Sequence, residues 1–179
     1  MDDATLTFLL RALALKDRPR RGWYRAGLAR PESVADHSWG IALLAATLCP
    51  PSLDRARVLE LAILHDVCEV AVGDLVPGEY ESRAAKLGLE REGLLELLAG
   101  SPEPLRARVL GAFDEMAAEQ TAEARFVHEL DKLEMALQAK RYQVSGVEAG
   151  ALASFRASAR RGAPSFGRTL DALAEDVSP

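Results

Sequence analysis

Three sets of polar side chains fall where an apolar helix face is expected: His37, the adjacent pair His65-Asp66, and Asp131. The pair interrupts the aliphatic run Leu61-Ala62-Ile63-Leu64-His65-Asp66-Val67-Cys68-Glu69-Val70, which should be interior, because burying aliphatic side chains drives folding. A buried carboxylate is costly unless paired. A metal ion is one of the few partners that satisfies an imidazole and a carboxylate together. Each residue also has a plainer explanation. A histidine on an apolar face can be a hydrogen-bonded core residue, and Asp131 could pair with Lys132 or Arg125. Together they offer two imidazoles and two carboxylates, a donor set suited to manganese, iron, cobalt, nickel or zinc. Adjacent helical residues point about 100° apart. His65 and Asp66 can therefore reach one ion only from a closely apposed helix wall, which demands a tightly packed bundle.

Two further carboxylates stand near this set. Glu69 follows His65 by four residues and Asp66 by three, so it can share their side of a helix rather than lie exposed. Asp74 comes just after Gly73, either as a turn aspartate or as a group facing the site. The segment Arg18-Pro19-Arg20-Arg21-Gly22-Trp23-Tyr24-Arg25 is a basic, aromatic loop in an acidic protein; it reads as a solvated charge run with a core tryptophan, or as an anion-binding loop.

The elements that must position these residues are all helical. Leu6, Leu9, Leu10 and Leu13 predict a helix over 3–15. A second opens near Pro31-Glu32-Ser33 and carries Val34, His37, Ile41, Leu44, Ala45 and Leu48 on one face. A third, capped by Ser52 or Asp54, should contain His65 and Asp66 and run to about Val72, where Gly73 stops it. Residues 79–99 predict an amphipathic helix interrupted by Gly88 and Gly93, and another starts at Ser101-Pro102-Glu103. In the helix opened by Thr121 and Glu123, the residues Val127, Asp131 and Met135 stack one turn apart. Two weaker helices follow, over about 147–160 and 165–175. No segment alternates in the manner of a strand. The expectation is an all-α, single-domain compact bundle of about seven or eight helices spanning residues 1–179.

The totals agree. At 179 residues one domain can bury roughly 70% of the surface its unfolded chain exposes. With 6% aromatic residues the core must be mostly Leu, Ala and Val, which favours helix. A net charge of −5 argues against a broad grip on a nucleic acid polymer. Cys49 and Cys68 lie among aliphatic residues and read as buried thiols. The acidic start Met1-Asp2-Asp3 lacks signal-peptide features, and no apolar run approaches the roughly 20 residues that span a bilayer. A cytoplasmic protein without a membrane partner is expected.

A longer pattern narrows the function. Arg21-Gly22-Trp23, Pro31-Glu32-Ser33-Val34 with Asp36-His37, His65-Asp66 with Glu69, Gly73-Asp74-Leu75, and Glu123-Ala124 with Asp131-Lys132-Leu133-Glu134-Met135 resemble the HD-domain metal-dependent phosphohydrolases. The similar branch is the HD-domain 5′-deoxynucleotidases. The resemblance covers residues 6 to about 142, and the helices over 147–177, which should complete the bundle, match only as a generic helical region. It implies one divalent ion (manganese, cobalt, iron, nickel, zinc or magnesium) held by His37, His65, Asp66 and Asp131. It also implies hydrolysis of a deoxyribonucleoside 5′-monophosphate by water, with no covalent intermediate, and a homodimer. In the family, the position of Glu69 orients or activates the attacking water, and that of Asp74 handles the 5′ oxygen. Arg21 matches a phosphate-binding position and Trp23 a flat wall near the sugar or base. Several relatives carry an arginine three or four residues after the tryptophan, whereas here Arg25 follows it by two. His128 lies outside the family set and is expected to be structural. The competing readings are another nucleotide or small phosphate-ester hydrolase on the same scaffold, and a non-catalytic nucleotide-binding module.

Overall fold

The computed structural model describes residues 1–174, and the end expected for the last helix, at 175–177, lies outside them. The described residues form nine α-helices and no strand. They are α1 (Asp3–Ala12), α2 (Val34–Leu48), α3 (Arg55–Leu64), α4 (Glu69–Val72), α5 (Arg83–Leu97), α6 (Glu103–Ala118), α7 (Ala122–Val144), α8 (Ala153–Gly162) and α9 (Gly167–Ala174). Short 3-10 segments at Leu13–Asp17 and Arg21–Ala26 join α1 to α2. The loop expected from Arg18 to Arg25 is therefore partly helical, with its first residues extended and bridged at Pro19 to Ser33.

α7 is the organising element, packing against α2, α3, α6, α8 and α9. Ala124, Val127, Leu130 and Ala139 on it are wholly buried, and they meet Ile41 and Ala45 of α2 and Val58, Leu61 and Ala62 of α3. A second apolar cluster joins Phe8, Leu15 and Val34 to Val67, Cys68 and Val70, with Leu94 and Leu97 of α5 and Val109 and Phe113 of α6. Both cysteines are buried and free. No described helix is long and apolar enough to cross a membrane.

The start of α2 is fixed by a reciprocal cap. Asp36 N–H donates to Ser33 Oγ at 3.0 Å, and Ser33 N–H donates to Asp36 Oδ2 at 2.9 Å. Such a cap contributes about 1 kcal/mol and sets the phase of the helix, so His37 lands in the first turn facing inward.

The third helix differs from expectation. It is capped by Asp54, but it ends at Leu64, and the chain makes a tight turn through His65-Asp66-Val67-Cys68 before α4. The bonds Val67 N–H to Leu64 O (3.2 Å), Glu69 N–H to Asp66 O (3.0 Å) and Ala71 N–H to Cys68 O (3.0 Å) span three residues instead of four. The aliphatic periodicity cannot reveal this tightening, since no glycine or proline marks the turn and the weak helix propensity of His, Asp, Val and Cys is easily overridden by packing. Its consequence is positional. Leu61 and Ala62 belong to the first core cluster, Val67 and Cys68 to the second, and His65-Asp66 lies at the seam between them. Gly73 ends α4 at φ 77°, a conformation that favours glycine, and turns the chain so that Asp74 is buried. Elsewhere, α5 begins at Arg83, capped by Ser82, and runs unbroken through Gly88 and Gly93, because its packing outweighs the small propensity penalty of each glycine.

Candidate metal centre and active site

The seam brings three of the four expected ligands together directly. One side-chain donor atom each of His37, His65 and Asp66 lies within 4.8 Å of the others. His65 Nε2 is 3.1 Å from Asp66 Oδ2, and His37 Nε2 is 4.0 Å from the same oxygen. Asp131, from α7, joins through His37, its Oδ1 lying 3.1 Å from His37 Nε2. Its Oδ2 accepts from Lys132 Nζ at 2.8 Å.

Hydrogen bonding fixes both imidazoles. His65 Nδ1 donates to the Ala62 carbonyl at 2.9 Å, and His37 Nδ1 donates to Glu134 Oε2 at 2.6 Å. With Nδ1 holding the hydrogen, each neutral ring presents an Nε2 lone pair, and both Nε2 atoms are buried without a hydrogen bond. A lone pair facing a carboxylate at 3.1 Å is repulsive unless positive charge lies between them. A divalent cation supplies that charge. Metal–ligand bonds of about 2.1 Å separate neighbouring donors by about 3 Å, in keeping with this spacing. The donor set and its hydrogen-bonded support thus fit a cation.

A proton competes with a cation for the place between the His37 ring and Asp131. Burial and Arg20 oppose a charged His37 ring, yet Asp131 and Glu134 outweigh them and push its pKa up to about 9. Burial raises Asp66 and Asp131, but His65, Arg20 and His37 overcome this for Asp66, and Lys132, His37 and Arg20 for Asp131, leaving both below the usual carboxylate range.

A second carboxylate cluster, Glu32, His37 and Glu134, lies on the Nδ1 side of the same ring. It is already knitted by hydrogen bonds. Glu134 Oε2 accepts from His37 Nδ1, and Glu32 Oε1 accepts from Trp23 Nε1 at 2.8 Å. Glu134 is buried one turn after Asp131, and a side chain at Gly40 would put a Cβ 2.8 Å from its Oε1. Replacing Glu134 with Gln should weaken divalent-ion affinity roughly 10–100-fold, the usual cost of losing the partner that orients a ligating histidine. Manganese titration of metal-free protein measures this, and unchanged affinity would show that Glu134 does not orient His37.

Around the seam is a cavity of about 540 Å³, lined by Asp66, Glu69, Asp74 and Asp131 among others. Glu69 is 2% exposed and its Oε2 has no hydrogen-bond partner. Burial, then the charges of Asp66 and Asp74, push its pKa up to about 10. Asp74 accepts a hydrogen bond from the Arg21 backbone N–H at 2.5 Å.

The arginines are exchanged relative to expectation. The Arg21 side chain leaves the ligands and pairs with Glu79, with Nη1 donating to Oε2 at 2.8 Å. Arg20 enters instead, its Nη1 3.4 Å from Asp66 Oδ2. The reason is the extended backbone at 18–20, which puts alternate residues on one side. Arg18 donates to Val70 O at 2.7 Å and Arg20 faces Asp66, while Arg21 begins the 3-10 segment and turns away. Trp23 lines the cavity but offers no open ring face, being 2% exposed and stacked on Phe155 with centroids 4.0 Å apart. Arg25 donates to Pro77 O at 2.9 Å on the cavity wall. His128 Nε2 donates to Met116 O at 2.9 Å, a structural contact. Sequence reasoning missed Arg20, Glu134 and Phe155. Glu134 left a signal in its one-turn spacing from Asp131 and Arg20 in its place within the basic loop, whereas Phe155 left none.

An all-α bundle with a His, His-Asp and Asp donor set at its seam defines a class: the chain belongs to the HD-domain family, whose model, described as an HD domain, matches residues 12–168. The chain is 33% identical to 5′-deoxynucleotidase HDDC2 of Danio rerio over 86% of its own length and 76% of the relative's. To 5′-deoxynucleotidase HDDC2 of Homo sapiens it is 35% identical, over 84% and 74%. Its fold is similar to that of a predicted metal-dependent phosphohydrolase from Magnetospirillum magnetotacticum, with a TM-score of 0.71 at 25% identity, covering 95% of this chain and 91% of the other. Within the HD-domain family, the chain belongs to the 5′-deoxynucleotidase branch.

Proposed function

We propose that this protein hydrolyses deoxyribonucleoside 5′-monophosphates to deoxynucleoside and inorganic phosphate, using one divalent ion held by His37, His65, Asp66 and Asp131. The observation that carries the reading is the pair of buried, unbonded Nε2 atoms facing carboxylates in a cavity that also holds Glu69, Asp74 and Arg20. The names of the curated relatives support the choice of substrate.

When bound, a divalent ion at this point polarises a phosphoryl oxygen and makes a water molecule more acidic. The chain's own groups do the rest. Arg20, kept charged by Asp66 and Asp131 against its burial, binds a phosphate oxygen. Glu69 takes a proton from the attacking water; the charges of Asp66 and Asp74 that raise its proton affinity would be offset by a bound cation, which favours the carboxylate form this role needs. The water oxygen attacks phosphorus, the bond from phosphorus to the 5′ oxygen breaks, and Asp74 orients or protonates that departing oxygen. Trp23 supports the wall beside the sugar from behind Phe155, and Arg21 acts through its backbone N–H, which holds Asp74.

We further assign residues 1–179 to a single HD domain acting as a cytoplasmic homodimer. Trp39 and Leu43, exposed one turn apart on α2, support a dimer, and two free buried thiols support a reducing compartment.

Purified protein given cobalt or manganese should release phosphate from dAMP, dGMP or dTMP, and EDTA should abolish the release. Absence of release across a panel of metals and 5′-monophosphates would reject the reading. Equal release from ribonucleotides and deoxyribonucleotides would instead point to a broader phosphohydrolase.

A further inference from the structure

The region that carried no motif supplies one wall of the cavity. α8 is anchored by Leu152, Ala159 and Ala163, all wholly buried, and it packs along α7, the helix that bears Asp131. Ser154, Ser158 and Arg161, at i, i+4 and i+7, line the cavity together with Phe155. Phe155 lies nearly parallel to Trp23, at 19°, and closes the wall on that side.

These three polar side chains are uncommitted. Among the described residues neither hydroxyl and no nitrogen of the Arg161 guanidinium has a hydrogen-bond or ion-pair partner. The neighbouring Arg160, by contrast, is paired with Asp171. The phosphate-binding groups are accounted for by the donor set and Arg20. Of the other polar groups on the lining, Arg25 is bonded to Pro77 O, Lys86 is paired with Glu90 and Lys132 with Asp131; beside them and Tyr80 the wall is apolar, with Leu75, Val76, Pro77 and Met135. An apolar wall with a few convergent donors is the construction of a small-molecule subsite, and the cavity volume of about 540 Å³ lies in the range of roughly 300–1,000 Å³ such pockets occupy.

We infer that Ser154, Ser158 and Arg161 of α8 form the nucleobase subsite, with the Arg161 guanidinium donating in bidentate fashion to the adjacent ring-nitrogen and carbonyl acceptors of guanine. This rests on the proposed nucleotide substrate and adds a base preference to it. The planar fork of arginine matches that acceptor pair, and such contacts discriminate by about 1–3 kcal/mol. Adenine presents a donor where guanine presents the carbonyl, so dGMP should be the preferred purine substrate.

The test is calorimetric titration of the manganese-loaded protein with deoxyguanosine and, separately, with inorganic phosphate. Neither probe requires turnover, so the outcome is independent of whether the protein hydrolyses nucleotides, which the phosphate-release assay decides. In Arg161→Ala the Kd for deoxyguanosine should rise about tenfold or more, with the Kd for phosphate within twofold of wild type. Arg161 is exposed, so the variant should fold. Arg161→Lys, which keeps the charge but loses the fork, should remain weak, and Ser158→Ala should weaken deoxyguanosine binding alone. Loss of phosphate affinity in Arg161→Ala would make it a phosphate residue. Unchanged deoxyguanosine affinity, full recovery by lysine, or no binding of deoxyguanosine to the wild type would each overturn the subsite.

Discussion

Asp131→Ala is expected to lose the divalent ion and to lower phosphate release by on the order of 10³-fold, the equivalent of about 4 kcal/mol of transition-state stabilisation. Asp131 contributes the carboxylate 3.1 Å from His37 Nε2, and it is the only one of the four proposed ligands that comes from α7. Its removal leaves three donors and frees the Lys132 ammonium, which then repels a cation. The fold should survive. The packing of α7 is carried by Val127, Leu130, Leu133 and Ala139, and none of these depends on the carboxylate. The variant should therefore keep an all-α circular dichroism spectrum while its metal content, measured by elemental analysis, falls. Full metal occupancy in a folded variant would remove Asp131 from the donor set.

Glu69→Ala and its isosteric companion Glu69→Gln should behave differently. Both are expected to bind the ion and the nucleotide, with turnover lowered roughly 10²- to 10⁴-fold, as for loss of a general base. Glu69 lies on α4, beyond the turn that carries His65 and Asp66, and neither of its oxygens bonds to a proposed ligand. Steady-state kinetics separate the outcomes, since a lost base lowers kcat with little change in KM. Near-normal turnover in both variants would exclude the role.

The all-α architecture was legible because its determinants are local. Ser33, Asp54, Ser82 and Thr121 cap helices at their starts, and apolar residues repeat at helical spacing. The candidate ligands were legible as candidates for a related reason, each being a polar intrusion on an apolar face. What sequence could not give was the turn at residues 65–68. Its tightening comes from docking Val67 and Cys68 into one cluster and Leu61 and Ala62 into another, a tertiary demand with no local signature. That turn splits the expected third helix and accounts for nine helices where seven or eight were expected. The exchange of Arg20 for Arg21 has the same character. Two neighbouring arginines are indistinguishable until pairing with residues 32–34 fixes which one faces the seam. The α8 wall was invisible for a third reason, since serines on a short amphipathic helix read as solvent-facing until a cavity lies in front of them.

The central claim is that one ion, bound at the seam of the two clusters, enables phosphate release. Metal-free protein titrated with manganese should regain activity in direct proportion to bound ion, with both binding and phosphate release from a deoxyribonucleoside 5′-monophosphate saturating at one ion per chain. Full activity in chelator-treated protein of verified low metal content, or saturation of the site without any gain in activity, would contradict it.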